Sequence, residues 1–471
     1  MVSRLNMMKR STRSTSFNVA PLALAAALAA ALAGCNLAPT YQRPAAPIAA
    51  AYPESSPAGE AASSIEWNRY FADARLQELI RLALANNRDL RIAAANIEQA
   101  RAQFRITRAS ELPTVSAAVS GSRVPGANDT ITSTYSAGLA VSAFELDLFG
   151  RLRNLTAAAQ AQFLAVDENA RTVRISLIAS VANAYLATLA DEEQLDLIRR
   201  TLATRDESLR LVQLKFDQGV VSKVDLEQAR SLVETARVAL AQQQRQRAND
   251  FNALTLLVGQ PLPDNLPPGT TLAQTNLADL PAGLPSDLLT VRPDIRAAEQ
   301  QLVAANANIG AARANFFPRI SLTASAGSAS SELSGLFKSG SWGWTFAPQA
   351  ILPIFDYGRN AAGLAAARAA NDAAVAQYER TIQGAFREVS DALAGQATYA
   401  EQLRAQRAVA ASEQSRFDLA DLRYRNGAAS YLDYLDAQRS LFSAQQAAIQ
   451  ANQLRLQNQV TLYRVLGGGL K

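Results

Sequence analysis

Histidine is absent from all 471 residues. That removes imidazole bases, imidazole metal ligands and every Ser–His or Cys–His catalytic device. A single cysteine excludes an intrachain disulfide. The only methionines are Met1, Met7 and Met8, so the chain beyond its first residues is poor in soft-metal ligands, and no metal site is expected. Aromatic residues make up only 7%. With alanine abundant, that favours long helices packed through small side chains over a thick globular core. Carboxylate chemistry stays open in principle, but runs such as Asp191-Glu192-Glu193 read as the solvated face of a helix. Neither an enzyme nor a resident cofactor is expected.

Hydrophobic residues are 49% and charged residues 18%, which fits a folded chain. The formal charge is +5, and Arg4, Lys9, Arg10 and Arg13 account for most of it. Little net charge is left for the rest, so no nucleic-acid partner is indicated.

Those four bases precede an apolar run from Val19 to Ala33 and then Leu32-Ala33-Gly34-Cys35. A basic region, a short apolar region and a small-residue cleavage site form an export signal, residues 1–34. As a helix the run spans roughly 22 Å, short of the about 30 Å of a bilayer core. Leu-Ala-Gly-Cys resembles a bacterial lipobox, which implies a lipid on Cys35, the new N-terminus. Several acyl chains anchor stably where one does not. Asn36 follows, and in such lipoproteins a residue other than Asp there implies the outer membrane. Residues 35–64, rich in Pro, Ala and Ser, are expected to form an extended tether.

The remainder is written twice. Arg88-Asp89-Leu90-Arg91 parallels Pro293-Asp294-Ile295-Arg296, and Leu112-Pro113 parallels Phe317-Pro318. Asp147-Leu148-Phe149-Gly150-Arg151 parallels Phe355-Asp356-Tyr357-Gly358-Arg359, and Lys215-Phe216-Asp217-Gln218-Gly219 parallels Arg423-Tyr424-Arg425-Asn426-Gly427. The expected copies are 65–259 and 287–471, joined by a proline-rich linker, 260–286. Each reads as helix, two strands, very long helix, glycine turn, long helix. From Arg151 to Gln218 there is neither Gly nor Pro. Leu195, Ile198, Leu202, Leu209, Val212 and Phe216 follow a heptad seam with one seven-residue gap. Gly363, Gly384 and Gly395 are expected to weaken the long helix of the second copy locally.

The strands alternate. Val115, Ala117 and Val119 oppose Ser116 and Ser120; Ile320, Leu322, Ala324 and Ala326 oppose Ser321, Thr323 and Ser325. The second strand of each copy is expected to start near Tyr135 or Trp342. Trp342, Trp344 and Phe346 share one face, as an interfacial aromatic girdle would. A soluble half-buried sheet has the same periodicity; the lipobox and paired long helices favour membrane strands. Four strands cannot close a membrane barrel, since the smallest bacterial barrels have about eight, and open edges in lipid are costly. The chain must then oligomerise, and two, three or four copies all satisfy the count.

With Cys35 to Pro44, Trp67-Asn68-Arg69-Tyr70-Phe71, Phe144 to Arg151, Leu284 to Ile295 and Tyr424 to Gln438, the sequence resembles the TolC-like outer-membrane factors of tripartite efflux pumps, in their lipidated NodT/OprM-like branch. The resemblance implies a membrane α+β fold: a homotrimer with a 12-stranded outer-membrane β-barrel, four strands per chain, and a long α-helical periplasmic barrel. It implies partners: a periplasmic adaptor (membrane fusion protein), an inner-membrane pump of the resistance-nodulation-division (RND) type, and outer-membrane lipid. Gly219 and Gly427 would then sit at tip turns. Ser222-x-x-Asp225 and Ser430-x-x-Asp433 resemble capping boxes. The resemblance places Tyr424, Asp433 and Asp436 at the periplasmic gate. A basic residue found after the turn in some relatives is Ala429 here, which puts an Arg–Asp link at that position in question. Asp436, whose first-copy counterpart is Gln228, is favoured over the capping Asp433; three such carboxylates would form one ring. The alternatives are a type I secretion or metal-ion efflux duct, or a periplasmic coiled-coil scaffold without a pore.

Overall fold

The computed structural model describes residues 36–53, 60–125, 131–283 and 285–470. The export signal and Cys35 lie outside the described residues. In chain order the main elements are α1 (Ala74–Asn86), α2 (Arg88–Ala109), β1 (Val115–Pro125), β2 (Ile131–Leu146), α3 (Arg151–Asp217) and α4 (Lys223–Val258). Then follow α5 (Pro293–Ala314), β3 (Arg319–Ser330), β4 (Trp342–Ile351), α6 (Arg359–Arg425) and α7 (Tyr431–Val465).

The duplication is visible element by element. α2 and α5 both have 22 residues, α3 and α6 both have 67, and α4 and α7 have 36 and 35. The chain nevertheless divides into two compact units that each draw on both copies. One holds the strands and the helix ends next to them in sequence; the other holds the remaining helical segments.

In the first unit the strands form one antiparallel sheet of order β1-β2-β3-β4. The central pairing, β2 with β3, joins one copy to the other. β2 starts at Ile131, earlier than the expected Tyr135, and a bulge lies between Val141 and Phe144. At the strand ends Glu145 accepts two 2.7 Å hydrogen bonds from Arg151 and pairs with Arg319. Asp147 caps α3 by accepting from the Arg153 N–H, and Asp356 does the same for the Asn360 N–H of α6. The repeated Asp-Leu-Phe-Gly-Arg and Asp-Tyr-Gly-Arg motifs are therefore strand-to-helix corners.

In the second unit the core gathers around stacked Tyr70 and Tyr463, 4.2 Å between centroids, with Phe71, Leu79, Ile80, Ile178, Leu186 and Ile295 fully buried. The Tyr-Phe end of the Trp-Asn-Arg-Tyr-Phe motif is thus core, while Asn68 and Arg69 are exposed. Asp73 caps α1 and also accepts from Thr270 and Tyr185. Residues 260–283 are irregular, as the prolines require, but they are not loose. Leu272, Leu277 and Leu280 are buried, and Asn452 and Gln459 of α7 donate to the carbonyls of Leu272 and Leu277. The segment from Asn36 to Pro44 has no helix or strand, and Arg43 closes a two-bond ion pair with Glu299.

Three features of the helices bear on what the sequence suggests. α6 runs unbroken through Gly363, Gly384 and Gly395, so the roughly 1 kcal/mol per glycine that propensity subtracts does not interrupt it. Among the described residues α3 alone has a stretch apolar enough to cross a membrane, with mean hydropathy 1.5, yet half of it is buried within the protein. Finally, Asp191 is not on a solvated face. It is 6% exposed, accepts from Gln243, and lies against Asp250 of α4.

Burial, and then the Asp250 carboxylate, push Asp191 from 3.8 up to about 7. Glu192 beside it is answered by Arg247. The folded state therefore holds a proton that the unfolded state releases, and stability falls as pH rises from about 4 to about 7. Asp191→Asn, which cannot ionise, should flatten that slope and raise the melting temperature at pH 8. An unchanged pH profile in thermal unfolding would refute the raised pKa of Asp191.

Candidate functional site

The sheet has two chemically distinct faces. Facing rows run Ala117, Leu139, Ala326, Trp344 and Val115, Val141, Ala324, Phe346 across the four strands. This face is apolar and uncovered: Val119, Trp342 and Trp344 are 82, 69 and 70% exposed. The other face carries cross-strand hydroxyl pairs, Ser120 with Ser136 and Ser325 with Thr345, each at 2.7 Å. Water on the apolar side would favour aggregation; hydrocarbon would solvate it. Lengths of 10 to 16 residues reach the about 9–11 needed to cross a bilayer.

Where the two copies meet, Gly138 pairs with Gly327. A Cβ on Gly138 would lie 2.4 Å from the Ala326 carbonyl oxygen, and one on Gly327 2.3 Å from that of Ala137. Only glycine lets β2 and β3 approach this closely. Gly138→Val should therefore break the central pairing and, with it, any closed barrel. A heat-modifiable, protease-resistant species in gels of the variant would contradict this.

In the second unit the hairpin turns are built alike. Val220 N–H donates to the Lys215 carbonyl and Gly219 N–H to that of Phe216; Ala428 donates to Arg423 and Gly427 to Tyr424 in the same way. Gly219 and Gly427 have φ of +72° and +71°. These are Schellman closures, which need a residue tolerant of the left-handed region. Ser222 with Asp225, and Ser430 with Asp433, then close reciprocal capping boxes, worth about 1 kcal/mol each.

Asp433 is thus engaged by the Ser430 N–H and hydroxyl, at 3.2 and 2.8 Å. Asp436 is not a bare carboxylate either: Arg416 of α6 forms an ion pair with it. Tyr424 is buried and packs with Tyr431 and Tyr434 at 5.4 Å. Burial raises Tyr424 and Tyr431 and pushes Tyr434 up to about 12, so all three stay neutral at physiological pH. These rings lie in one cluster with Val212, Leu226, Ala229, Leu232 and Leu435, drawn from both hairpins. Arg416, Tyr431 and Tyr434 were not singled out by sequence. The Arg416–Asp436 spacing of 20 residues spans two helices and follows no single-helix rule. Among the described residues no group of three or more His, Cys, Asp or Glu side chains is placed to hold a metal.

A chain with four lipid-compatible strands, two open edges and two long helical hairpins is a subunit of an outer-membrane channel. The match to the outer membrane efflux protein family covers residues 79–260 and again 284–468, one match on each copy, and the chain belongs to that family. It is 50% identical over 451 residues to the antibiotic efflux pump outer membrane protein ArpC of Pseudomonas putida, covering 93% of each chain. The same identity and coverage hold for the toluene efflux pump outer membrane protein TtgC of Pseudomonas putida. The structure resembles the open-state MtrE outer membrane channel of Neisseria gonorrhoeae, with 41% identity, a TM-score of 0.87, and coverage of 93% of this chain and 99% of that one. The protein is an outer-membrane efflux channel component, with the membrane α+β fold of that class.

Proposed function

We propose that three copies of the chain close one twelve-stranded barrel and form the exit duct of a tripartite efflux pump for antibiotics and apolar solvents. The observation that carries this reading is the four-stranded sheet: one face apolar, and β1 and β4 each lacking a neighbour on one side. In hydrocarbon the unpaired N–H and C=O groups of those edges cost several kcal/mol each, so β4 of one copy pairs with β1 of the next. Family likeness selects three copies among the counts that close. The relatives named for antibiotic and toluene efflux suggest the cargo. The duct itself catalyses nothing and holds no cofactor; an RND-type pump in the inner membrane supplies the energy through a periplasmic adaptor. Cys35 carries the lipid, and Trp342, Trp344 and Phe346 form the girdle at the membrane surface.

The tips of the second copy form the periplasmic gate. Asp433 serves its helix cap, and Asp436 meets Arg416, so the ring at the mouth consists of three ion pairs, not three free carboxylates. An exposed pair of this kind is worth about 0.2–1 kcal/mol and stabilises the fold little. Its effect is on the field felt by a permeating ion.

Purified full-length protein should run as a heat-modifiable trimer and conduct in planar bilayers. Deletion of its gene should sensitise the host to antibiotics or toluene. Absence of conductance together with unchanged susceptibility would refute the duct. Arg416→Gln should raise cation selectivity and Asp436→Asn should lower it; selectivity unmoved by both substitutions would remove the ring from the gate.

A further inference from the structure

Arg205 and Lys215 are two of the basic side chains of the first hairpin that form no ion pair with a carboxylate among the described residues. Both face aromatic rings of the second hairpin. Arg205 of α3 lies with its guanidinium carbon 5.3 Å from the ring centroid of Phe442 on α7. Lys215, ten residues further along α3, has its ammonium 4.3 Å from the ring centroid of Tyr424 on α6. Both distances are within the about 6 Å at which a ring face attracts a cation.

Arg205 is 4% exposed. It donates to the Leu232 carbonyl of α4, and its Nε has no partner. Burial, and then nearby Arg439, lower its pKa, as expected of a buried cation with no carboxylate to answer it. It fills the seven-residue gap in the seam between Leu202 and Leu209, an interior heptad position. Polar residues at such positions fix register and partner at a cost in stability. Tyr424 supplies the complementary evidence. Its hydroxyl is buried without a hydrogen-bond partner, so its ring face, not its oxygen, engages the first hairpin.

We propose that Arg205 and Lys215 latch the second hairpin to the first through the ring faces of Phe442 and Tyr424, and so hold the gate narrow. The latch deepens the duct reading and rests on it for its consequence. Ala429 leaves no basic residue just after the second turn, and the latch places the cations on the opposite hairpin. Lys215 is only half-buried, and its replacement is compatible with folding.

The test compares K215Q, K215R and F442L in full-length protein by amide hydrogen exchange and bilayer conductance. K215Q and F442L should each speed exchange at least severalfold over residues 417–442 and raise conductance, leaving exchange in α1 and α2 unchanged. K215R should restore both readouts, because it keeps the cation. K215Q combined with Tyr424→Leu should be no worse than either substitution alone. Unchanged exchange in K215Q and F442L would overturn the latch, and so would failure of K215R to rescue. Faster exchange without a rise in conductance would overturn its role at the gate. A protein that conducts in no variant, wild type included, removes the duct reading instead, and the exchange data still decide whether the two contacts hold the hairpins together.

Discussion

Everything in this chain follows from backbone hydrogen bonds that one copy cannot complete. Four strands in a row leave one side of β1 and one side of β4 unpaired. In water that is an aggregation hazard, and in lipid it is prohibitive. The apolar rows that meet in Trp344 and Phe346 commit the sheet to lipid, and the edges commit it to neighbours. Because the missing bonds lie between copies, membrane insertion and assembly are one requirement, not two.

Duplication shapes how that requirement is met. The central pairing of the sheet joins β2 of one copy to β3 of the other, and its closeness depends on glycine facing glycine at Gly138 and Gly327. The same doubling gives two hairpins with matching Schellman turns and matching capping boxes. Features present in both copies serve the backbone; features present in one serve the difference between them. By that logic Asp225 and Asp433 are caps. Tyr424 and Asp436, which replace Phe216 and Gln228, carry what is particular to the second tip.

Periodic features were legible in the sequence because they are local. The strand alternation, the glycine-free spans, the turn glycines and the Ser-x-x-Asp boxes each depend on spacing within one element. What escaped depends on contacts between elements. The carboxylates of Asp191 and Asp250 lie 59 positions apart on α3 and α4, so the run around Asp191 read as solvated. The proline-rich linker 260–286 showed no sign in the sequence of being anchored, because its anchors, Asn452 and Gln459, lie far along the chain. Arg205 left one trace, a gap in an otherwise regular seam.

The second tip shows why such gaps matter. A constriction secured by carboxylates against bases would loosen with salt and with protonation of the acids. Here the charged groups have other occupations: Asp433 is spent on its cap, and Asp436 on Arg416 of its own hairpin. What crosses between hairpins near the tips is mainly apolar and aromatic, the cluster of Val212, Leu226, Leu232, Tyr424, Tyr431 and Tyr434, with cations resting on ring faces and a hydrogen bond between the Ser208 and Tyr431 hydroxyls. Burial keeps those tyrosines neutral, so acidification and alkalinisation within the physiological range leave the contact intact. A contact built this way depends on how closely the helices pack more than on the ionic composition around them.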